Sequence, residues 1–419
     1  MQILRIEGGR RLSGEIGIQG AKNSVLPILS ACVLTGGETR LNRCPALSDV
    51  YAAFGILSSL GCKCRFSGGI AEIDSRSIGS TEIGDALMRR MRSSIIFMGA
   101  LLGAAGECVM SFPGGCELGP RPIDMHISAL RQLGAVIDEK HGRLICQAPK
   151  GLKGTVVNLP FPSVGATENV MLAAVCAEGE TVIVNAAREP EIAELGSFLN
   201  KCGANVRGAG CHRIVIEGVS RDKLHGCEYT VMPDRIAAAT YLCAAAASGG
   251  EVNINGARVS DIEAVINVLR QAGCRVCDSD GGVYLSAPAV MNCVNTVRTC
   301  PYPGFPTDAQ AIVMAALVRS RGMGIFVEDI FENRFRHVDE LVRMGADIKT
   351  EGKVAVVRGV DKLTGAAVSA PDLRGGAALC VAACAAEGET EVSGVCYIDR
   401  GYEAIETTLN ALGAKVRRE

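Results

Sequence analysis

The strongest constraint on the fold is an internal repeat that recurs six times along the 419 residues. Each repeat carries a helical pattern that ends in a Leu-Gly-Ala-like corner, and the corners are spaced by 68 to 73 residues. The corner glycines are Gly61, Gly134, Gly203, Gly273, Gly345 and Gly413. A second set of glycines, each opening a strand pattern, follows the same spacing: Gly37, Gly106, Gly179, Gly250, Gly322 and Gly388. Such a period predicts six copies of one supersecondary unit.

Within each repeat the pattern predicts an apolar, Ala-rich helix, a strand opened by glycine, an amphipathic helix and two further short strands. Residues 236–247 are apolar nearly all round, as a helix inside a bundle should be. Ser260 and Glu263 predict a capping box for one of the amphipathic helices. Its apolar face is predicted from Ile262, Val265, Ile266 and Leu269. We therefore predict an α/β fold with six small sheets around two bundles of buried helices.

The composition argues against nucleic acid or a membrane as partner. The formal charge is −2 and 21% of residues are charged, so no basic stripe is available for phosphates or anionic lipids. The longest uncharged apolar stretches run about 12 residues, against roughly 20 for a membrane helix. The first residues do not have the pattern of a secretory signal, so we expect a cytoplasmic protein.

The 19 cysteines predict reduced thiols, because a chain of this length needs no disulfides to be stable. Cys274 and Cys277 form an isolated C-x-x-C without a second pair, so no zinc site, and no other metal or cofactor, is expected. In the alignment of the repeats, Cys62 and Cys274 replace alanines, and Cys64 replaces valine or isoleucine. These three thiols are predicted to be small core residues.

Cys116 differs, because it lies in the non-periodic stretch SFPGGCELGPRPIDMH, residues 111–126. Gly114 and Gly115 permit positive φ, and Arg121 could favour a thiolate or hold an anion beside the cysteine. Taken alone, the stretch could equally be a turn with an incidental cysteine.

Cations are predicted at four of the six starts of the buried helices: Lys22, Arg92, Arg235 and Arg374. A cation at this end opposes the helix dipole, so we interpret these residues as part of a site for a multiply charged anion. Arg235 and Arg374 could instead pair with Asp234 and Asp372. On the anion interpretation, changing Lys22 or Arg92 to Gln should leave stability unchanged or slightly raised.

Asp308 lies at another of these starts, where a carboxylate could simply cap its helix. Among cationic neighbours it is also a candidate general base. The sequence has neither the Gly-rich phosphate loop of ATP-binding folds nor that of dinucleotide-binding folds.

Across nearly its whole length the sequence resembles the UDP-N-acetylglucosamine 1-carboxyvinyltransferase family. The motifs that carry the resemblance are GAKNSVLP from Gly20, RMRSS from Arg90, PGGCELGPRPIDMH from Pro113, FPSVGATEN from Phe161, REPEI from Arg188, PDRIAAAT from Pro233, GFPTDAQA from Gly304, FENRFRH from Phe331, DLRGGAAL from Asp372 and DRGYE from Asp399. The resemblance implies two inside-out α/β domains, residues 22–230 and residues 1–21 plus 231–419. The active site would lie in the cleft between them.

The resemblance also implies the reaction, in which the enolpyruvyl group of phosphoenolpyruvate is transferred to the 3'-hydroxyl of UDP-N-acetylglucosamine and phosphate is released. This is the first committed step of peptidoglycan precursor synthesis and the target of fosfomycin. Cys116 would donate a proton to the methylene carbon, Asp308 would accept the proton of the hydroxyl, and Lys22 would assist.

Two sets of binding residues follow from the same resemblance. Phosphoenolpyruvate would be held by Lys22, Asn23, Arg121, Arg374 and Arg400. UDP-N-acetylglucosamine would be held by Asn23, Arg92, Arg121, Pro122, Ile123, Asp124, Met125, Ser163, Val164, Gly165, Asp308 and Ile330.

The sequence departs from the family pattern at two positions. Phe161 stands where some relatives have a lysine, which puts one pyrophosphate contact in doubt, and Pro120 stands where small residues are usual. Two alternatives remain open, a 5-enolpyruvylshikimate-3-phosphate synthase and a catalytically silent paralogue that only binds substrates.

Overall fold

The computed structural model describes residues 2–113 and 123–419, which divide by internal contacts into two compact units. The N-unit comprises residues 20–113 and 123–232. The C-unit comprises residues 2–19 and Pro233–Glu419. Cys116, Pro120, Arg121 and Pro122 lie outside the described residues.

The described residues form helices α1 (Lys22–Thr35), α2 (Ser48–Ser59), α3 (Asp85–Met88), α4 (Phe97–Ala105), α5 (Asp124–Gln132), α6 (Val164–Ala174), α7 (Pro190–Lys201), α8 (Arg235–Ala247), α9 (Glu263–Gln271), α10 (Thr307–Leu317), α11 (Val338–Arg343), α12 (Leu373–Ala385), α13 (Val395–Ile398) and α14 (Ile405–Ala411). Short 3-10 helices occupy Arg92–Ile96, Arg221–Lys223 and Val259–Asp261. None of these helices is both long and apolar enough to cross a membrane.

The strands are β1 (Leu4–Glu7), β2 (Ser13–Gly17), β3 (Glu38–Asn42), β4 (Lys63–Ser67), β5 (Ile70–Asp74), β6 (Glu82–Ile83), β7 (Glu107–Ser111), β8 (Val136–Lys140), β9 (Arg143–Gln147), β10 (Val156–Asn158), β11 (Glu180–Val184), β12 (Asn205–Arg207), β13 (Arg213–Glu217), β14 (Glu228–Thr230), β15 (Glu251–Asn255), β16 (Arg275–Ser279), β17 (Gly282–Ser286), β18 (Thr296–Arg298), β19 (Met323–Val327), β20 (Asp347–Glu351), β21 (Val354–Arg358), β22 (Ala367–Ser369), β23 (Glu389–Ser393) and β24 (Lys415–Arg418).

These strands form six four-stranded sheets of one design, in which a parallel pair is extended by two antiparallel strands. The N-unit sheets have the orders β14-β3-β5-β4, β6-β7-β9-β8 and β10-β11-β13-β12. The C-unit sheets have the orders β2-β15-β17-β16, β18-β19-β21-β20 and β22-β23-β1-β24. In the last of these the N-terminal strand β1 lies between β23 and β24, with Ile6 opposite Thr390 and Val416. The predicted six-repeat α/β architecture is confirmed.

The corner glycines of the repeat are required by the backbone. All six of them have φ between 89° and 104°, a region that L side chains avoid. At Gly61 a Cβ atom would also lie 2.5 Å from the carbonyl oxygen of Ser77. The periodic glycines therefore mark turns that few other residues could adopt.

Each unit has its own apolar core built on three buried helices. In the N-unit α1, α4 and α6 pack together, and in the C-unit α8, α10 and α12 do. Every residue of α8 is buried, which matches its nearly all-round apolar pattern. One face of each small sheet packs on the core of its own unit.

Two local predictions need correction. The capping box at Ser260 is wrong, because a 3-10 turn at Val259–Asp261 precedes the helix, which begins at Glu263 without a side-chain cap. The helical segment beginning at Arg92 is 3-10 through Ile96, and the α-helix proper begins at Phe97. The apolar face of α9 is confirmed, since Ile262, Val265, Ile266 and Leu269 are all buried.

The thiols behave largely as the repeat alignment predicts. Cys62 and Cys274 are buried, and Cys64 is half-buried against the same core as Cys62. None of the eighteen cysteines within the described residues forms a disulfide.

Candidate active site

The residues chosen from the sequence do lie at the starts of the buried helices. Lys22 is the first residue of α1, Arg235 the first of α8, and Val164 the first of α6. Asp308 and Arg374 are each the second residue of their helices, α10 and α12. The sequence thus located these positions to within one residue.

Lys22 forms a buried ion pair that the sequence did not reveal. Its Nζ lies 2.7 Å from Oδ2 of Asp49 on α2, and the two side chains are 9% and 3% exposed. The residue before α1, Ala21, supplies no side-chain cap. The cation at this helix start is therefore compensated by a carboxylate from a neighbouring helix, which removes the basis for expecting Lys22→Gln to leave stability unchanged.

Asn23 and Ser24 follow in the same turn of α1. The Ser24 hydroxyl donates to the carboxylate of Glu194 on α7, and Glu194 Oε1 accepts from the backbone N–H of Met232 at 2.6 Å. Glu194 is buried. This carboxylate fixes the first turn of α1, and with it the position of Asn23, relative to the end of the N-unit chain.

Arg92 contacts the backbone that follows β7. Its Nη1 donates to the carbonyl oxygen of Pro113 at 3.2 Å. Arg92 also acts on His126 of α5, since its charge contributes to lowering the pKa of that imidazole. One guanidinium thus holds the backbone after β7 and also acts electrostatically on α5.

His126 joins the two segments proposed for the nucleotide. Its Nδ1 lies 2.7 Å from Nδ2 of Asn169, whose Oδ1 accepts from the Gly99 N–H at 2.6 Å. An amide nitrogen can only donate, so Nδ1 of His126 accepts and the ring proton is on Nε2. Burial first, and then the charge of Arg92, lowers the pKa of His126 to about 4, so the ring is neutral at physiological pH.

The same ring packs on the start of α6. A Cβ atom on Gly165 would lie 3.0 Å from Cε1 of His126, so a larger residue there would displace the imidazole. Ser163 caps α6, its Oγ accepting from the Ala166 N–H at 3.3 Å. The structure therefore brings Ile123, Asp124 and Met125, at the start of α5, beside Ser163, Val164 and Gly165. His126, which connects them, was not singled out from the sequence.

In the C-unit, Asp308 is held between two arginines. Oδ1 accepts from Nη2 of Arg334 at 2.9 Å, and Oδ2 accepts from Nη2 of Arg374 at 3.0 Å. The arginine side chains are 2% and 5% exposed, whereas that of Asp308 is 29% exposed. The carboxylate is therefore reachable from solvent while its orientation is fixed from the buried side.

Arg374 is further tied to the core through Tyr402. Its Nη1 donates to the Tyr402 hydroxyl at 3.3 Å, and that hydroxyl lies 2.8 Å from Oγ1 of Thr240. Burial alone would lower the pKa of Arg374, but the charge of Asp308, together with Tyr402 and Asp234, outweighs burial and the pKa is raised. The suggested pairing of Arg374 with Asp372 is wrong, because the Asp372 carboxylate caps α12 by accepting from the Arg374 and Gly375 N–H groups.

Glu328 fixes the position of Ile330 relative to Asp308. Its Oε1 accepts from the Ile330 N–H at 2.9 Å, and its Oε2 accepts from the hydroxyl of Thr307, the residue before Asp308, at 3.0 Å. Glu328 is 1% exposed. Neither Glu328 nor the contact of Arg334 with Asp308 was predicted, because nothing local in the sequence signals a partner 20 or more residues away.

Arg235 and Arg400 are the remaining C-unit cations of the prediction. The Arg235 guanidinium lies 5.7 Å from the centre of the Tyr302 ring, and Asp234 caps α8 by accepting from the Ile236 and Ala237 N–H groups. Arg400 follows α13 in a short loop, and its neighbour Asp399 accepts two bonds from Arg418 at 2.8 and 2.9 Å. Among residues 2–113 and 123–419, acidic, Cys and His side chains form no metal-binding group of three or more.

Comparison with known proteins decides the family. The sequence matches the family described as EPSP synthase (3-phosphoshikimate 1-carboxyvinyltransferase) over residues 6–409. It is 50% identical to UDP-N-acetylglucosamine 1-carboxyvinyltransferase 2 of Caldanaerobacter subterraneus subsp. tengcongensis over 414 residues, which cover 99% of both chains. The chain belongs to the UDP-N-acetylglucosamine 1-carboxyvinyltransferase family.

Other members of the family show similar identity. The protein named UDP-N-acetylglucosamine 1-carboxyvinyltransferase 1 of Symbiobacterium thermophilum is 49% identical over 99% of this chain and 94% of its own length.

Solved structures share the fold at lower identity. The enolpyruvyl transferase NikO of Streptomyces tendae has a TM-score of 0.89 at 22% identity, with 100% of this chain and 98% of that chain covered. An EPSP synthase of Acinetobacter baumannii has a TM-score of 0.73 at 19% identity, with 100% of both chains covered.

Proposed function

We propose that this chain transfers the enolpyruvyl group of phosphoenolpyruvate to the 3'-hydroxyl of UDP-N-acetylglucosamine and releases phosphate. The observation that carries the proposal is the 46% to 50% identity, over nearly the full length, to proteins named for this activity. The EPSP synthase structure, at 19% identity, supports the shared fold alone.

In the proposed mechanism Asp308 is the base of the addition step. Its carboxylate takes the proton of the 3'-hydroxyl as the oxygen bonds to the central carbon of phosphoenolpyruvate, while Cys116 gives a proton to the methylene carbon. Arg334 and Arg374 each hold one carboxylate oxygen, so Asp308 is oriented before the substrate arrives. A preoriented base avoids reorganisation at the moment of transfer.

Elimination then reverses the protonation. The methyl group of the adduct returns a proton to Cys116, the carbon–oxygen bond to phosphate breaks, and the enolpyruvyl ether and phosphate leave. Lys22, Asn23, Arg121, Arg374 and Arg400 are the proposed phosphoenolpyruvate ligands, and positive charge beside a helix start suits the phosphate that develops as leaving group.

The nucleotide is assigned to the start of α5 and the start of α6, with Asn23 and Arg92 nearby in the proposal and Asp308 and Ile330 at the sugar. The contact of His126 with Gly165 supports treating residues 123–125 and 163–165 as one binding surface. Phe161, which stands where some relatives have a lysine, is 40% exposed and brings no charge to this surface. The proposal therefore assigns the contacts that neutralise the pyrophosphate to Arg92 and Arg121.

The wider role follows from the reaction. A precursor for peptidoglycan is made in the cytoplasm, and its supply limits cell-wall growth, cell shape and division. We also propose Cys116 as the target of epoxide phosphonates such as fosfomycin. Brief labelling and mass mapping should find Cys116 modified far ahead of the other eighteen thiols, and predominant modification of Cys62 or Cys274 would contradict this assignment.

A phosphate-release assay with alternative acceptors tests the function. Purified protein with phosphoenolpyruvate should release phosphate when UDP-N-acetylglucosamine is added and stay at background with shikimate 3-phosphate. The reverse preference would identify a 5-enolpyruvylshikimate-3-phosphate synthase. Binding of UDP-N-acetylglucosamine without phosphate release would identify a silent paralogue.

A further inference from the structure

Two thiols of the N-unit that the proposed mechanism does not use lie in contact. Cys202 directly follows α7 and is buried, and Cys227 directly precedes β14 and is half-buried. Their Sγ atoms are 3.5 Å apart. The backbone holds both segments, since the His225 N–H donates to the Cys202 carbonyl at 3.0 Å and the Arg40 N–H donates to the Cys227 carbonyl at 2.9 Å.

This separation is close to that of a bonded pair. A disulfide has its sulfur atoms about 2.05 Å apart, so closure requires an approach of roughly 1.5 Å. Rotation about χ1 moves a sulfur atom by a distance of this order. The pair is therefore preorganised for a covalent bond.

The surroundings make the two thiols unequal. The hydrogen bond from Cys202, with the nearby charges of Lys201 and His225, lowers the pKa of Cys227 although burial opposes this. The same hydrogen bond and burial raise the pKa of Cys202. Cys227 is half-buried whereas Cys202 is buried, so Cys227 is the more accessible of the two thiols.

Neighbouring thiols lack this activation. Burial raises the pKa of Cys32 far above its ordinary value, raises that of Cys62 to about 12, and also raises that of Cys64. These three remain protonated near neutral pH, which makes them poor nucleophiles.

We propose that Cys202 and Cys227 form an oxidisable dithiol, a modification site separate from Cys116, which hydroperoxides convert into an intramolecular disulfide. The Cys227 thiolate attacks the outer oxygen of the peroxide, the O–O bond breaks, and the alcohol, or water from hydrogen peroxide, leaves with a proton. Cys227 is then a sulfenic acid. The Cys202 sulfur attacks it, the S–O bond breaks, and the hydroxide leaves as water with the Cys202 proton. The two sulfurs lose two electrons and the peroxide gains two.

The bond would join two positions 25 residues apart and tie the end of α7 to β14. A cross-link over a loop of this length restricts the unfolded chain. We therefore expect the oxidised protein to melt several degrees higher than the reduced protein.

The test is oxidation of the full-length protein with one equivalent of hydrogen peroxide, followed by alkylation of the remaining thiols in denaturant and peptide mass mapping. The expected result is one cross-linked peptide pair containing Cys202 and Cys227, lighter by two hydrogens and reversed by dithiothreitol. The proposal would be overturned if other thiols of the protein were oxidised while Cys202 and Cys227 remained reduced.

Four variants separate the roles. Cys227→Ser should abolish the cross-link and the rise in melting temperature. Cys202→Ser should leave a sulfenic acid at Cys227 that dimedone traps, and if this variant does not fold, the mapping of the parent protein still decides. Cys64→Ser, at another half-buried thiol of the same unit, should cross-link as the parent does. Cys116→Ser should also form the Cys202–Cys227 cross-link normally. Loss of this disulfide in the Cys116 variant would show that Cys116 is oxidised first and passes the oxidation on, which would overturn direct oxidation of Cys227.

Discussion

The buried helices of the two units begin in different ways. In the C-unit, aspartates cap α8 and α12, and Asp308 at the start of α10 holds two arginines. In the N-unit, α1 begins on a lysine with no side-chain cap, and α6 is capped by a neutral serine. The C-unit thus has a carboxylate at the start of each of its buried helices, whereas the carboxylate that compensates Lys22 at the start of α1, Asp49, comes from another helix. This difference suits proton transfer by Asp308 in the C-unit and, in the N-unit, an ammonium at Lys22 that the proposal assigns to phosphoenolpyruvate.

The largest expected effect is on turnover in Asp308→Asn. The amide keeps the size of the side chain but cannot accept the hydroxyl proton, so kcat should fall by roughly 10² to 10⁴-fold. Steady-state kinetics per folded molecule, with thermal melting to determine the folded fraction, measures this. Asp329→Asn is the control, because its carboxylate pairs with Arg298 on the surface, and it should keep normal turnover. Normal turnover in the Asp308 variant would show that Asp308 is not the base.

The second effect is on the stability of Lys22→Gln. Loss of the lysine leaves the Asp49 carboxylate, 3% exposed, without its buried partner, which typically costs about 3 kcal/mol of unfolding free energy. The double variant Lys22→Met with Asp49→Leu should recover most of this stability, because apolar residues replace the whole pair. Denaturant unfolding measures both. A Lys22→Gln variant as stable as the parent would show that the pair is not structural.

The third effect is a pH dependence that both units share. Burial lowers the pKa of His126 in the N-unit and of His337 in the C-unit to about 4, against roughly 6.5 in the unfolded chain. The unfolded chain therefore binds more protons as the pH falls from about 6.5 to 4. Stability is present above pH 6.5 and is lost through that window, by roughly 1 kcal/mol per pH unit for each histidine.

Unfolding free energies measured between pH 7 and pH 4 check this window. His126→Gln and His337→Gln should each flatten the slope by one histidine's share, since glutamine does not titrate. Unaltered slopes in both variants would show that neither ring is neutral in the folded protein.

The smallest effect concerns the caps. Asp372→Ala removes two bonds to backbone N–H groups, at 2.9 and 3.1 Å, and should cost about 1 to 2 kcal/mol. Ser163→Ala removes one bond at 3.3 Å and should cost about 0.5 kcal/mol. Equilibrium unfolding of the two variants ranks them. A larger loss of unfolding free energy in Ser163→Ala than in Asp372→Ala would contradict this ranking of the two caps.

The sequence predicted what depends on local pattern. The corner glycines identified the six repeats, and counting from the strand glycines located Lys22, Asp308 and Arg374 to within a residue of their helix starts. The capping box at Ser260 failed because a 3-10 turn intervenes, and turn type there depends on packing rather than on the two capping residues.

The partners of these residues could not be predicted in the same way. Asp49 lies 27 positions from Lys22, and Arg374 lies 66 positions from Asp308, so the contacts exist only once the repeats have packed. The same holds for Cys202 and Cys227, which belong to different segments of the N-unit. Residue type and spacing indicated which groups are chemically suited to a site. Which of these groups form ion pairs or hydrogen bonds with each other depends on the packing of the fold.

The most direct test of the difference between the units is the affinity for phosphoenolpyruvate, measured by titration calorimetry on three proteins. The parent and Asp308→Asn should bind within about threefold of each other, because Asp308 acts on the hydroxyl and not on the anion. The double variant Lys22→Met with Asp49→Leu should bind at least about tenfold more weakly, since the Lys22 ammonium proposed as a phosphoenolpyruvate ligand is gone. Unchanged affinity in the double variant, with a large loss in Asp308→Asn, would contradict the account.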